Sequence, residues 1–244
     1  MNYKAVLQYD GTRYRGWQTQ GKTDNTIQGK LETLLTKMAG EPVEVNGSGR
    51  TDAGVHAAGQ VISFRCKTKE SPEEICRYMN EYLPEDIAVL TVEEAAPRFH
   101  ARLNAVRKTY VYRIWNAPVR NVFRRRFTTW IQKPLDLDAM EQAATLLCGT
   151  HDYRAFCSLK KFKKSTVRTI EKIEIGKMGQ EIRISYTGDG FLYHMVRILT
   201  GTLVEVGLGL RKPEEMTEIL EGQDRTKAGR LMPPEGLTLE SVEY

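Results

Sequence analysis

Gly49-Arg50-Thr51-Asp52-Ala53-Gly54-Val55-His56-Ala57 sets an acid, a base and an imidazole among glycines within nine residues. Gly47 and Gly49 ahead of the aspartate and Gly54 behind it permit a positive φ or a close backbone approach that a Cβ resists. The run is a shaped loop, either a site or an ordinary turn, since turns favour the same residue types. Its neighbours fix its place in a fold. A short strand over 41–46 enters the loop and a strand over 60–65 leaves it. Upstream, Tyr3, Ala5, Leu7 and Tyr9 alternate on one face of a strand, and Ile27, Leu31, Leu34, Leu35 and Met38 recur at helical spacing before Gly40, a C-terminal cap. Downstream, Ser71-Pro72-Glu73-Glu74 opens a helix with a cap, a proline at the first position and a capping-box glutamate. Pro84 ends that helix and a strand over 87–92 follows. The order β-α-β-β-α-β is ferredoxin-like, with helices on one face of an antiparallel sheet, and the quoted loop is the turn between its middle strands.

The second half repeats the order with insertions. A strand over 109–115 puts Tyr110, Tyr112 and Ile114 on one side and Thr109, Val111, Arg113 and Trp115 on the other. A basic loop and a short strand over 127–131 precede a helix lined by Met140, Ala143, Ala144 and Leu147 and capped by Gly149. Strands over 167–175 and 181–187 join at Lys177-Met178-Gly179. Helices over 191–206 and 213–220 and a last strand over 237–242 complete the chain. The repeat is one of element order alone. The expected fold class is α+β: two ferredoxin-like lobes, residues 1–104 and 105–244, with mainly antiparallel sheets abutting around a central positively charged cleft.

With 244 residues, 41% of them hydrophobic, the chain buries a sizeable core. No apolar run approaches the roughly 20 residues that span a bilayer, and Met1-Asn2-Tyr3-Lys4 leads straight into a strand pattern, so a cytosolic location is expected. Cys66, Cys76, Cys148 and Cys157 form no Cys-x-x-Cys pair and read as reduced thiols. Cys148, His151 and Cys157 match no common zinc spacing and lack a fourth ligand.

The net charge is +5, but it is segregated. Residues 95–135 hold no acid and ten bases, among them Arg107, Lys108, Arg120, Arg124, Arg125 and Arg126; residues 153–170 hold no acid and six bases. Those stretches carry +16, which leaves −11 elsewhere. Aromatics are interleaved with the bases, including Tyr110, Trp115, Phe123, Trp130, Phe156 and Phe162. Phosphates need cations and unstacked bases need flat partners, so the pattern indicates nucleic acid.

The quoted loop resembles the signature of the tRNA pseudouridine synthase A family. Three further segments fit the same family in order: Tyr9-Asp10-Gly11-Thr12-Arg13-Tyr14-Arg15-Gly16-Trp17-Gln18, Lys108-Thr109-Tyr110-Val111-Tyr112-Arg113, and Gly190-Phe191-Leu192-Tyr193-His194-Met195-Val196-Arg197. Thr19 departs from the pattern, which has a basic residue there. The resemblance implies isomerisation of uridine to pseudouridine at positions 38, 39 and 40 of the tRNA anticodon stem-loop, with no cofactor and no metal. It implies that Asp52 is the essential carboxylate, that Tyr110 stacks on the target uracil, and that Arg197 pairs with Asp52. Arg50 would be a wedge or phosphate contact, and one tRNA would lie across a homodimer. Whether Asp52 attacks C1′, attacks C6 or assists glycal formation stays open. His56 reads as a structural hydrogen-bonding residue ahead of a proton carrier. Two other classes compete: a metal-dependent nuclease using Asp10, Asp52 and Asp189, which EDTA would silence, and a non-catalytic RNA-binding module indifferent to Asp52→Ala.

Overall fold

Tyr3, Ala5, Leu7 and Tyr9 are all buried along one face of β1 (Asn2–Tyr9) in the computed structural model, which describes residues 1–21, 23 and 25–244. α1 (Ile27–Ala39) follows, capped by the Thr26 side chain, which accepts the Gly29 N–H, and closed by Gly40 at φ 70°. Ile27, Leu31, Leu34 and Leu35 form its buried stripe. β2 (Val45–Gly47) and β3 (His56–Arg65) flank the Asp52 loop. α2 (Pro72–Tyr82) begins with the expected capping box: Ser71 N–H donates to Glu74 at 2.8 Å and Glu74 N–H to the Ser71 hydroxyl at 3.3 Å. β4 (Ile87–Glu94) is the fourth strand. β1 runs antiparallel between β3 and β4, and β2 pairs antiparallel with the far end of β3, so the order is β4-β1-β3-β2. That order, with two crossover helices, is the ferredoxin-like arrangement expected from the sequence.

The chain continues through β5 (Arg107–Asn116), β6 (Thr129–Ile131), α3 (Leu137–Leu146), β7 (Gly149–Asp152), β8 (Val167–Met178), β9 (Glu181–Gly188), α4 (Met195–Gly207) and α5 (Glu215–Gly222). β5 pairs antiparallel with β9 from Lys108 opposite Gly188 to Trp115 opposite Glu181. β9 pairs antiparallel with β8 and β8 with β7, giving β5-β9-β8-β7, while β6 lies parallel to the end of β5. Met140, Ala143 and Ala144 of α3 are buried, as their spacing requires.

Three boundaries differ from the sequence reading. α3 ends at Leu146 with Leu147 in the right-handed region; Gly149, at φ 113°, opens β7, a strand whose four residues carry no alternation to reveal it. α4 starts at Met195 rather than at 191, because His194 is left-handed at φ 66° and breaks the helix there. The last strand, β10 (Leu237–Glu243), belongs with the first unit: the chain groups as Met1–Val106 with Thr238–Tyr244, and Arg107–Leu237. Thr238 and Leu239 pair parallel with His56 and Ala57, Val106 N–H donates to Glu243, and the Tyr244 hydroxyl donates to Ala101 at 2.7 Å. A boundary drawn by chain order at 104 therefore misassigns the tail. No described helix is long and apolar enough to cross a membrane.

Candidate active site

Two of the four motifs meet in the first unit. The segment over residues 9–18 lies under the Asp52 loop so closely that side chains would not fit. A Cβ at Gly11 would stand 2.0 Å from the Val55 carbonyl oxygen, and one at Gly47 would stand 2.5 Å from the Trp17 ring. Gly16, at φ 95°, faces Thr51 and Asp52 in the same way. Hydrogen bonds complete the grip. Trp17 N–H donates to the Thr51 carbonyl at 3.0 Å, and the hydroxyls of Tyr9 and Thr51 lie 2.8 Å apart. Gln60 donates to the Gly49 carbonyl at 3.0 Å and accepts from the Ser48 hydroxyl at 2.6 Å. Gly54, at φ 80°, turns the chain so that Val55 N–H reaches the Asp52 carbonyl at 3.1 Å. The backbone is thus fixed on both sides of Asp52, whose side chain is half-buried, while Arg50 two residues earlier is exposed. Burial pushes the Tyr9 phenol up to about 12, so it remains a neutral hydroxyl beneath the loop.

His56 is 2% exposed, and its Nδ1 accepts the Gly11 N–H at 3.0 Å and stands 3.2 Å from Asp10 Oδ1. It holds the Asp10-Gly11 corner against the start of β3, in keeping with the structural role read from the sequence. Asp10 is further occupied by Thr12, whose N–H and hydroxyl both donate to it. An open depression of about 480 Å³ lies beside Ala53 and Gly54, with Arg13 and Arg15 on its wall.

The other two motifs meet in the second unit. Tyr110 sits opposite Tyr186 on β9 and is 8% exposed, with its ring edge-on to Phe191 at 5.3 Å between centroids. Arg197 is the third residue of α4, also 8% exposed, and its Nε–H donates to the Met232 carbonyl at 2.7 Å. Arg197 returns the bond, its own carbonyl accepting the Met232 N–H at 3.3 Å. The segment around Met232 escaped the sequence reading because it is irregular. Gly201 in α4 and Gly229 in the segment itself are the signals for it: a Cβ at Gly201 would lie 1.9 Å from the Arg230 carbonyl oxygen, and one at Gly229 2.6 Å from the Thr202 backbone. His194 Nδ1 lies 2.8 Å from the Ser158 hydroxyl, tying the second basic stretch to the start of α4.

The first basic stretch is not uniform. Arg124 is bound to Glu181, a buried carboxylate that also takes Arg183 at 2.6 Å, so Arg124 is a strut and not a freely presented cation. Among the described residues no group of three or more His, Cys, Asp or Glu is placed to hold a metal ion. The four cysteines are free, and burial pushes the Cys66, Cys148 and Cys157 thiols up, away from the thiolate.

A family model described as tRNA pseudouridine synthase matches residues 5–104 and 143–244. The chain belongs to the tRNA pseudouridine synthase family. It is accordingly an isomerase that acts on uridine in tRNA. A tRNA pseudouridine synthase A from Bacillus sp. (strain KSM-64) is 48% identical over 243 residues, covering 100% of this chain and 99% of that protein. One from Brevibacillus brevis (strain 47 / JCM 6285 / NBRC 100599) is 47% identical over 241 residues, covering 99% and 98%. A tRNA pseudouridine synthase A 1 from Clostridium tetani (strain Massachusetts / E88) is 45% identical over 243 residues, covering 100% and 99%. Asp52, Arg50 and Arg197 fall inside the spans matched by the tRNA pseudouridine synthase model, whereas Tyr110 falls between them.

Proposed function

We propose that this chain converts uridine to pseudouridine at positions 38, 39 and 40 of the tRNA anticodon stem-loop, in the cytosol, as a homodimer and without a cofactor. Asp52 is the essential carboxylate, and Tyr110, Arg50 and Arg197 hold the target nucleotide. The observation that carries the reading is the Asp52 loop, an acid that three glycine contacts and a ring of buried hydrogen bonds keep in one backbone geometry. Catalysis depends on such preorganisation, because a carboxylate that must find its position gives up most of its advantage.

The reaction balances without an added reagent. The N1–C1′ bond breaks, the uracil turns while bound, C5 bonds to C1′, C5 loses its proton and N1 gains one. A flipped base loses its neighbours in the stack, and an aromatic ring such as Tyr110 replaces them. An opposite charge stabilises a carboxylate in its ionised form, a role suited to a buried arginine.

Transcripts with tritium at C5 of every uridine, and with a single uridine among positions 38, 39 and 40, test the assignment in the presence of EDTA. Release of C5 tritium to water from each, and none from a transcript with cytidine at all three, is the expected result. Release from the transcript lacking all three uridines contradicts the site assignment, and dependence of release on a divalent cation contradicts the mechanism.

A further inference from the structure

Residues 117–128, between β5 and β6, are held from several sides and yet turn Phe123 to solvent. Trp115 Nε1–H donates to the Val119 carbonyl at 3.0 Å and Trp130 Nε1–H to the Ala117 carbonyl at 2.8 Å. Asn121 Oδ1 accepts the N–H groups of Phe123 at 3.1 Å and Arg124 at 3.2 Å. Arg124 reaches buried Glu181, the Thr128 hydroxyl donates to the Arg124 carbonyl at 3.0 Å, and Arg125 donates to the Val122 carbonyl at 2.7 Å. On this fixed backbone Phe123 is 91% exposed, with Val119 and Val122 exposed beside it. They border a shallow depression of about 450 Å³ that Trp115 and Arg120 also line. The Arg120 guanidinium lies 4.5 Å from the Trp130 ring centroid, a stacked cation at the loop's base.

A solvated phenyl ring on a fixed backbone contributes little to folding and is suited to a partner, because the loop's ordering cost is met before binding. Charge selects the partner. The loop lies in a stretch of ten bases and no acids, which attracts a polyanion. A duplex offers its phosphates but no base face, whereas an unpaired nucleotide offers both. The geometry points to Phe123 as a stacking platform for an unpaired nucleotide of bound tRNA other than the reacting uridine, with Arg125 and Arg126 meeting the adjoining phosphates. The inference rests on tRNA being the substrate and adds a contact that the isomerisation itself does not need.

Filter binding of an unmodified tRNA transcript and of a blunt RNA duplex of similar length, with sedimentation of the protein alone, tests it. Phe123→Ala should weaken tRNA binding about ten-fold and raise KM with kcat held, while Phe123→Trp keeps wild-type affinity and duplex binding is unchanged. Phe123→Leu should behave like Phe123→Ala, since a stack needs a flat ring and an apolar interface does not. Wild-type affinity in Phe123→Ala, or rescue by Phe123→Leu, overturns the platform. So does a fall in sedimenting mass in Phe123→Ala, which assigns the ring to a second copy of the chain. If the wild-type protein itself fails to bind tRNA, the substrate reading falls too; if only the Phe123 variants are unaffected, that reading stands.

Discussion

A Cβ added to Gly16 would stand 2.9 Å from the Thr51 carbonyl oxygen and 3.2 Å from the Asp52 carbonyl carbon. The same residue holds φ at 95°, a region where a side chain is strained whatever space it has. Gly16 is thus the point at which the segment over residues 9–18 governs where the aspartate sits. The motif before the Asp52 loop is its mount.

Gly16→Ala should therefore cost about 1–3 kcal/mol of stability and reduce turnover, since either the loop moves or the strain persists. Urea denaturation with steady-state kinetics on the same preparation measures both. Unchanged stability and turnover would show that the contact does not hold the loop.

Tyr9 gives a signature in pH. Its folded pKa, about 12, lies above its unfolded value of about 10, so the folded state keeps a proton that the unfolded state has lost. Stability from this group is complete below about pH 10 and declines between about pH 10 and 12. Tyr9→Phe removes that share. Between pH 8 and pH 11 the variant should lose about 1.4 kcal/mol less than wild type by chemical denaturation. Equal losses would mean that the Tyr9 phenol is not shielded beneath the Thr51 corner.

Arg124 and its two neighbours should separate. Arg124→Gln leaves buried Glu181 with Arg183 alone and should cost about 1–2 kcal/mol in stability. The double variant Arg125→Gln/Arg126→Gln should cost less stability than Arg124→Gln and should flatten the salt dependence of tRNA binding. If the double variant destabilises the fold more than Arg124→Gln does, the strut has been assigned to the wrong arginine.

Much of this architecture is legible in the sequence where one force dominates. The alternation of Tyr3, Ala5, Leu7 and Tyr9, the stripe of α1 and the Ser71-Glu74 box each follow from burial or capping, and each is in place. The misses fall where a non-local contact overrides a local pattern. The apolar run from 191 reads as helix, but His194 turns left-handed with its ring against Ser158, and the helix waits for Met195. The tail reads as the end of a second lobe, but pairing with His56 and Ala57 draws it to the first unit. The motif residues were visible as types; that Gly11, Gly16 and Gly47 serve contact distances shorter than a Cβ allows could be seen only in three dimensions.

The central claim is that the Asp52 carboxylate does the work for which the loop is built. Asp52→Asn keeps the size of that residue and removes the charge; circular dichroism checks that it folds and filter binding that it holds tRNA. In the C5-tritium assay the account predicts release by wild type and none above background by Asp52→Asn at equal enzyme over many turnover times. Tritium release by the folded variant at a rate near that of wild type would contradict it.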